Sequence, residues 1–135
     1  GKVLKMLSIH DVVEIDAGDT FFYFEKANEG KFDRELASAK RIFGILSEPL
    51  QSEFLNLWLE FEEGKTEEAI FANAVDRMIP FTLNCYNNGL SWIEAGVTYE
   101  KVKQLLRGKI TEASEEMAEA FDILIKKAFD EGKLI

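Results

Sequence analysis

His10 and Asp11 stand side by side, and Glu14 follows one helical turn later. On a helix advancing about 100° per residue, Asp11 lies about 100° from His10, and Glu14 about 40° from it, between the two. One imidazole and two carboxylates thus converge on a single face. Such donors suit a borderline or hard divalent ion, and Glu14 stands close enough to exchange a proton with a water held there. The structural alternative is a partly buried histidine hydrogen-bonded to a neighbouring acid at a helix end.

Asp76 adds a second observation. Ala69, Ala72, Asp76, Ile79 and Leu83 repeat at spacings of three and four, so an aspartate occupies the middle of an apolar stripe. An ionised carboxylate there is costly unless it is paired or bound to metal. Arg77 points about 100° away, so an ion pair would need a cation from another helix. Taken alone, Asp76 leaves pairing and metal ligation equally open. Taken with His10 and Asp11, it is the acid a second helix would contribute, and the set favours a metal.

The elements that must position these residues are helical. Two prolines and nine glycines in 135 residues leave few breaks, and the periodicity between them reads as all-α, with about six helices. The first covers residues 2–15. Residues 16–31 lack a helical period and form a long loop around the aromatic run Phe21-Phe22-Tyr23-Phe24. Leu36, Ala39, Phe43 and Leu46 mark the next helix over 32–46. Ser47 is the expected cap of a helix carrying Leu50, Phe54, Leu57, Trp58 and Phe61 and ending before Gly64. Thr66 caps a helix running past Asp76 toward Asn87 and kinked at Pro80. Residues 98–107 and 114–131 make the last two, with Gly132 as the stop.

Composition limits the function classes. A 47% apolar fraction with eleven Phe and two Trp can fill the core of one domain. The formal charge of −9 repels nucleic-acid polymers, although a bound cation can invert the local field for a small phosphorylated ligand. Cys85 is the single cysteine, which excludes an intrachain disulfide and a Cys-rich zinc site and fits a reducing, cytoplasmic setting. The apolar stretch 3–9 carries Lys5 and reads as a core helix rather than a signal peptide, and no run is long enough to span a membrane. Trp58 and Trp92 read as core, Asn84, Asn87 and Asn88 as a helix end, Asp16 as a solvated loop acid, and Glu112, Glu115, Glu116 and Glu119 as a solvated face. Cys85 has no second histidine to activate it as a nucleophile.

The segment from His10 to Asp19 has the form His-Asp-x-x-Glu-x-x-x-Gly-Asp, met by His10, Asp11, Glu14, Gly18 and Asp19. On these residues the chain resembles the HD-domain superfamily, and within it the nucleotidase-like branch that removes phosphate from deoxynucleoside 5'-monophosphates. Leu57-Trp58-Leu59-Glu60-Phe61-Glu62 and the stretch from Ala72 to Pro80 look like that branch's later helices. Asn84 through Trp92, with Gly96-Val97-Thr98, resembles bacterial members of unassigned substrate.

The resemblance implies an all-α HD-domain helical bundle over residues 1–135, with His10, Asp11 and Asp76 as ligands of one divalent ion (Mn, Co, Zn, Fe or Mg). It implies Glu14 as the proton-handling residue and Asp19 as a residue shaping the substrate side, where the competing role for Asp19 is a turn or cap acid. The family also carries an earlier histidine on an upstream helix. His10 is this chain's only histidine, so the expectation is an N-terminally truncated domain with weak or no activity of its own. The expected partner is a small phosphorylated substrate, a nucleotide first, with a homodimer as the assembly to test. Rival expectations are a phosphodiesterase or nucleotide pyrophosphohydrolase of the same superfamily, or a non-catalytic nucleotide-sensing or scaffold module.

Overall fold

The computed structural model describes residues 1–18 and 30–135. Every regular element among them is helical, as the periodicity requires. The chain divides into two compact units, Gly1–Ala72 and Asn73–Ile135. No helix among the described residues is long and apolar enough to cross a membrane.

The first unit holds α1 (Lys2–His10), a 3-10 turn (Asp11–Val13), α2 (Glu14–Ala17), α3 (Lys31–Phe43), α4 (Leu50–Glu63) and the start of α5 (Glu67–Tyr86). All but α2 contribute to one core: Met6 and Ile9 from α1, Val13 from the turn, Ala39 and Phe43 from α3, Leu57, Trp58 and Phe61 from α4, and Ala69 and Ala72 from α5. Trp58 is fully buried and stacks on Phe32, with ring centroids 5.9 Å apart. At the rim, Lys2 reaches Glu60 and Lys5 reaches Glu53, each at 2.7 Å, tying α1 to α4.

The ends of these helices follow local chemistry, with one correction. Glu48, not Ser47, serves the start of α4: its carboxylate accepts from the Ser52 amide at 3.4 Å and the Ser52 hydroxyl at 2.7 Å. A carboxylate beside a helix N-terminus satisfies open amides and suits the helix dipole. α4 stops at Gly64, whose φ of 67° is a left-handed conformation that favours glycine. Thr66 then caps α5, accepting from the Ala69 amide at 3.2 Å.

The second unit comprises the rest of α5, α6 (Leu90–Ala95), α7 (Tyr99–Ala113) and α8 (Glu115–Asp130). Phe81 packs against Phe121 and Trp92 at centroid distances of 4.5 and 5.8 Å, and Val102, Leu106, Ile110 and Ile125 are buried in the same unit. Ser114 alone joins α7 to α8: it ends one helix, and its side chain accepts from the Met117 amide to begin the next. Thr98 caps α7 in the same way through the Lys101 amide.

α6 is absent from the sequence reading, because six residues are too few to display a period. α7 also runs beyond residue 107, through Gly108. Gly89 opens α6 at φ 62°, and a Cβ there would meet Cβ of Lys133 at 2.9 Å, so the position has room only for glycine. Pro80 lies inside α5 and has no N–H for the Asp76 carbonyl. Asn84 donates to the Pro80 carbonyl at 3.1 Å and accepts from Ser91 at 2.7 Å, so this asparagine serves the helix end.

Candidate functional site

His10 closes α1 and Asp11 opens the 3-10 turn. The Nδ1 atom of His10 lies 3.3 Å from Oδ1 of Asp11. Their surroundings differ: the His10 side chain is 14% exposed and that of Asp11 74%. The Phe61 ring sits 4.2 Å from the imidazole, centroid to centroid, so α4 walls one side of the histidine.

The turn corrects the angular placement of Glu14. A 3-10 turn has about three residues per turn, so residues i and i+3 eclipse. Glu14 therefore stands over Asp11 rather than about 40° from His10 on a continuous α-helix. Its amide is directed to the Asp11 and Val12 carbonyls, and its carbonyl accepts from Gly18 at 2.8 Å. Gly18 has φ 79°, which turns the chain at the end of α2. Asp19 and the aromatic run that follows it lie outside the described residues.

Two acids that sequence reasoning had not singled out line the same unit. Glu62 on α4 places Oε1 3.3 Å from Nε2 of His10, and its side chain is 22% exposed. Glu35 on α3 is buried at 4% exposure. Burial pushes the Glu35 carboxyl above the usual range. Lys31, at 3.8 Å, opposes that rise and Glu62 adds to it. The signal for Glu62 was available: it follows Trp58 by four residues, an acid beside an apolar stripe as at Asp76. Glu35 shares its face with Ser38 and Ala39 in the same manner.

Asp16 is exposed, as expected, but it lies in α2 rather than in a loop. It takes both Nε and Nη2 of Arg41, the latter at 2.8 Å, and this guanidinium holds its carboxyl below the usual range. Asp16 and Arg41 border an open cleft of about 360 Å³, with Arg34 and Ser38 also on its wall.

Asp76 belongs to the second unit, where it is half-buried on α5. The stripe proposed around it holds only in part. Ala69 and Ala72 are buried, but Ile79 and Leu83 are 54% and 60% exposed. In this unit α5 buries Ala74, Phe81 and Cys85, which fall on the other side of the helix. Cys85 is inert for a physical reason: burial pushes its thiol up to about 11, so the thiolate is scarce near neutrality.

Comparison with known proteins agrees with this geometry. The HD domain family matches residues 1–118. A crystal structure of a predicted metal-dependent phosphohydrolase from Magnetospirillum magnetotacticum MS-1 is 40% identical, with a TM-score of 0.91 over 99% of this chain and 66% of that one. The 5'-deoxynucleotidases HDDC2 of Dictyostelium discoideum and Mus musculus are each 32% identical over 76 residues, 56% of this chain. The match spans only 40% and 38% of those two relatives. With its His-Asp pair at the end of α1 and a family match over most of its length, the chain belongs to the HD domain family.

Proposed function

We propose that this chain is part of a metal-dependent phosphohydrolase, a nucleotidase acting on (deoxy)nucleoside 5'-monophosphates, with residues 1–135 forming one HD-type domain. The observation that carries the reading is the His10–Asp11 pair, held 3.3 Å apart where α1 passes into the 3-10 turn of an HD domain. The substrate class is supported by the deoxynucleotidase relatives.

The proposed ligands are His10, Asp11 and Asp76. One imidazole and two carboxylates fit a divalent ion of the series Mn, Co, Zn, Fe or Mg. When bound, such an ion supplies Lewis acidity toward the phosphate ester. The remaining chemistry falls to side chains. Glu14, eclipsing Asp11, takes a proton from the attacking water and returns one to the leaving oxygen. Asp19 is assigned to the substrate side, beyond the turn at Gly18.

The free Cys85 supports a cytoplasmic setting. A homodimer is supported by Ile79, Leu83 and Tyr86, exposed apolar residues spaced by four and three on α5, and by the exposed Leu90 and Ile93 on α6.

The test is phosphate release from deoxynucleoside 5'-monophosphates, with and without a chelator, on this chain and on any longer protein that contains it. Metal-dependent release that Asp11→Ala abolishes is the expected result. Products from cyclic nucleotides or triphosphates instead would assign a phosphodiesterase or pyrophosphohydrolase. Failure to bind any divalent ion or hydrolyse any phosphate ester would leave a sensing or scaffold module.

A further inference from the structure

We propose that Ser38 and Arg41 are positioning residues for Glu14: from α3 they hold the one-turn helix α2 on either side of Glu14 and so fix the backbone from which its carboxylate works. The task of Glu14 rests on the reaction proposed above, whereas the hold on α2 is a property of the chain alone.

α2 has little of its own to hold it in place. It has four residues, Glu14–Ala17, none of them buried, and no side-chain cap at its start. Its large apolar side chain, Ile15, is 73% exposed. Isolated helices shorter than about 12 residues are marginal in water, so a single turn without buried surface needs a partner. Within the segment, the Gly18 amide donates to the Glu14 carbonyl at 2.8 Å, which closes that one turn.

α3 supplies the partner on both sides of Glu14. Before it, the Ser38 hydroxyl donates to the carbonyl of Val13. After it, Arg41 donates from Nε and Nη2 to the two carboxylate oxygens of Asp16. A fork of this kind fixes orientation as well as distance. Ser38 and Arg41 are three residues apart, so they stand on one face of α3, and α3 is itself anchored in the core by Ala39 and Phe43. The two contacts differ in kind: the Ser38–Val13 bond is buried, whereas the Arg41–Asp16 pair is open to water. Loss of the first should be felt by the whole fold, and loss of the second chiefly by α2.

Arg41→Met is therefore the informative variant, because Arg41 is exposed and lies outside the proposed ligand set. Amide hydrogen exchange reads the hold on α2 without metal or substrate. The Gly18 amide should exchange about two- to fivefold faster in Arg41→Met, with amides in the middle of α4 unchanged, and faster still in Ser38→Ala. With Mn²⁺ and a deoxynucleoside 5'-monophosphate, Arg41→Met should lower kcat about tenfold and leave KM within about twofold. Arg41→Lys keeps a cation opposite Asp16 and should recover part of the loss. In a Glu14→Gln background, Arg41→Met should cost nothing further, since a residue acting through the Glu14 carboxylate has no effect once that group is gone. Unchanged exchange at Gly18 in both single variants overturns the proposal, as does an equal loss of kcat in the two backgrounds. If the unmodified chain releases no phosphate, the reading of the reaction fails instead, and the exchange rates alone decide the hold of α3 on α2. Circular dichroism checks the fold of each variant. Should Ser38→Ala unfold, Arg41→Met decides by itself.

Discussion

The hydroxyl of Ser38 donates to the carbonyl of Val13, joining α3 to the 3-10 turn across 25 positions of sequence. Both residues are nearly solvent-free, at 3% and 1% exposure. The turn starts immediately after His10, so this bond fixes the backbone that presents His10 and Asp11. A buried carbonyl needs a partner, and here a side chain from another helix supplies one.

Ser38→Ala removes that donor from a buried carbonyl. The expected loss is about 1–3 kcal/mol of stability, read by urea unfolding. A neutral result would mean that the turn is held without the hydroxyl.

Glu14→Gln separates proton handling from ion binding. Divalent-ion affinity should stay near that of the unmodified chain, while any phosphate release falls about 10²–10⁴-fold. Asp11→Asn should weaken both. Parallel calorimetry and phosphate assays distinguish the two patterns, and an equal loss of ion binding in Glu14→Gln would move Glu14 into the ligand set.

Phe121→Ala opens a cavity against Phe81 in the second unit, where Phe121 is fully buried. Truncating a buried aromatic side chain costs about 3–5 kcal/mol. Thermal and denaturant unfolding would measure it, and a loss below about 1 kcal/mol would show that the site collapses around the deletion.

The Arg107–Asp122 pair should make stability depend on acid pH. Arg107 donates from Nε and Nη2 to the two carboxylate oxygens, each at 2.9 Å, and holds the Asp122 carboxyl below its usual range. A depressed carboxylate pKa stabilises the fold above the unfolded value near 3.9, and that contribution is lost as pH falls through the lower folded value. Arg107→Leu should therefore melt slightly earlier than the unmodified chain at neutral pH, with the gap closing in acid as Asp122 becomes protonated. Both side chains are well exposed, so the gap should be small and shrink with added salt. A gap that persists in acid would assign it to packing instead.

The amino-acid sequence by itself determined what is settled within a turn or two of chain: helical periods, the cap at Thr66, the starts of the last two helices near Thr98 and Ser114, the stops at Gly64 and Gly132, and the adjacency of His10 and Asp11. It also marked Trp58 and Trp92 as core, because large aromatics at helical spacing have little else to do. The tertiary structure decided what depends on distant residues. Ser38 supports the 3-10 turn that places Glu14 over Asp11, Glu62 comes to His10 from α4, and Arg41 from α3 takes Asp16. Glu35 and Ser38 turned out to be buried while Leu36 is only partly so, and α5 buries Phe81 and Cys85 in place of Ile79 and Leu83. Periodicity reports which side of a helix is apolar, whereas burial depends on which neighbours arrive, and those are set by contacts far apart in the chain.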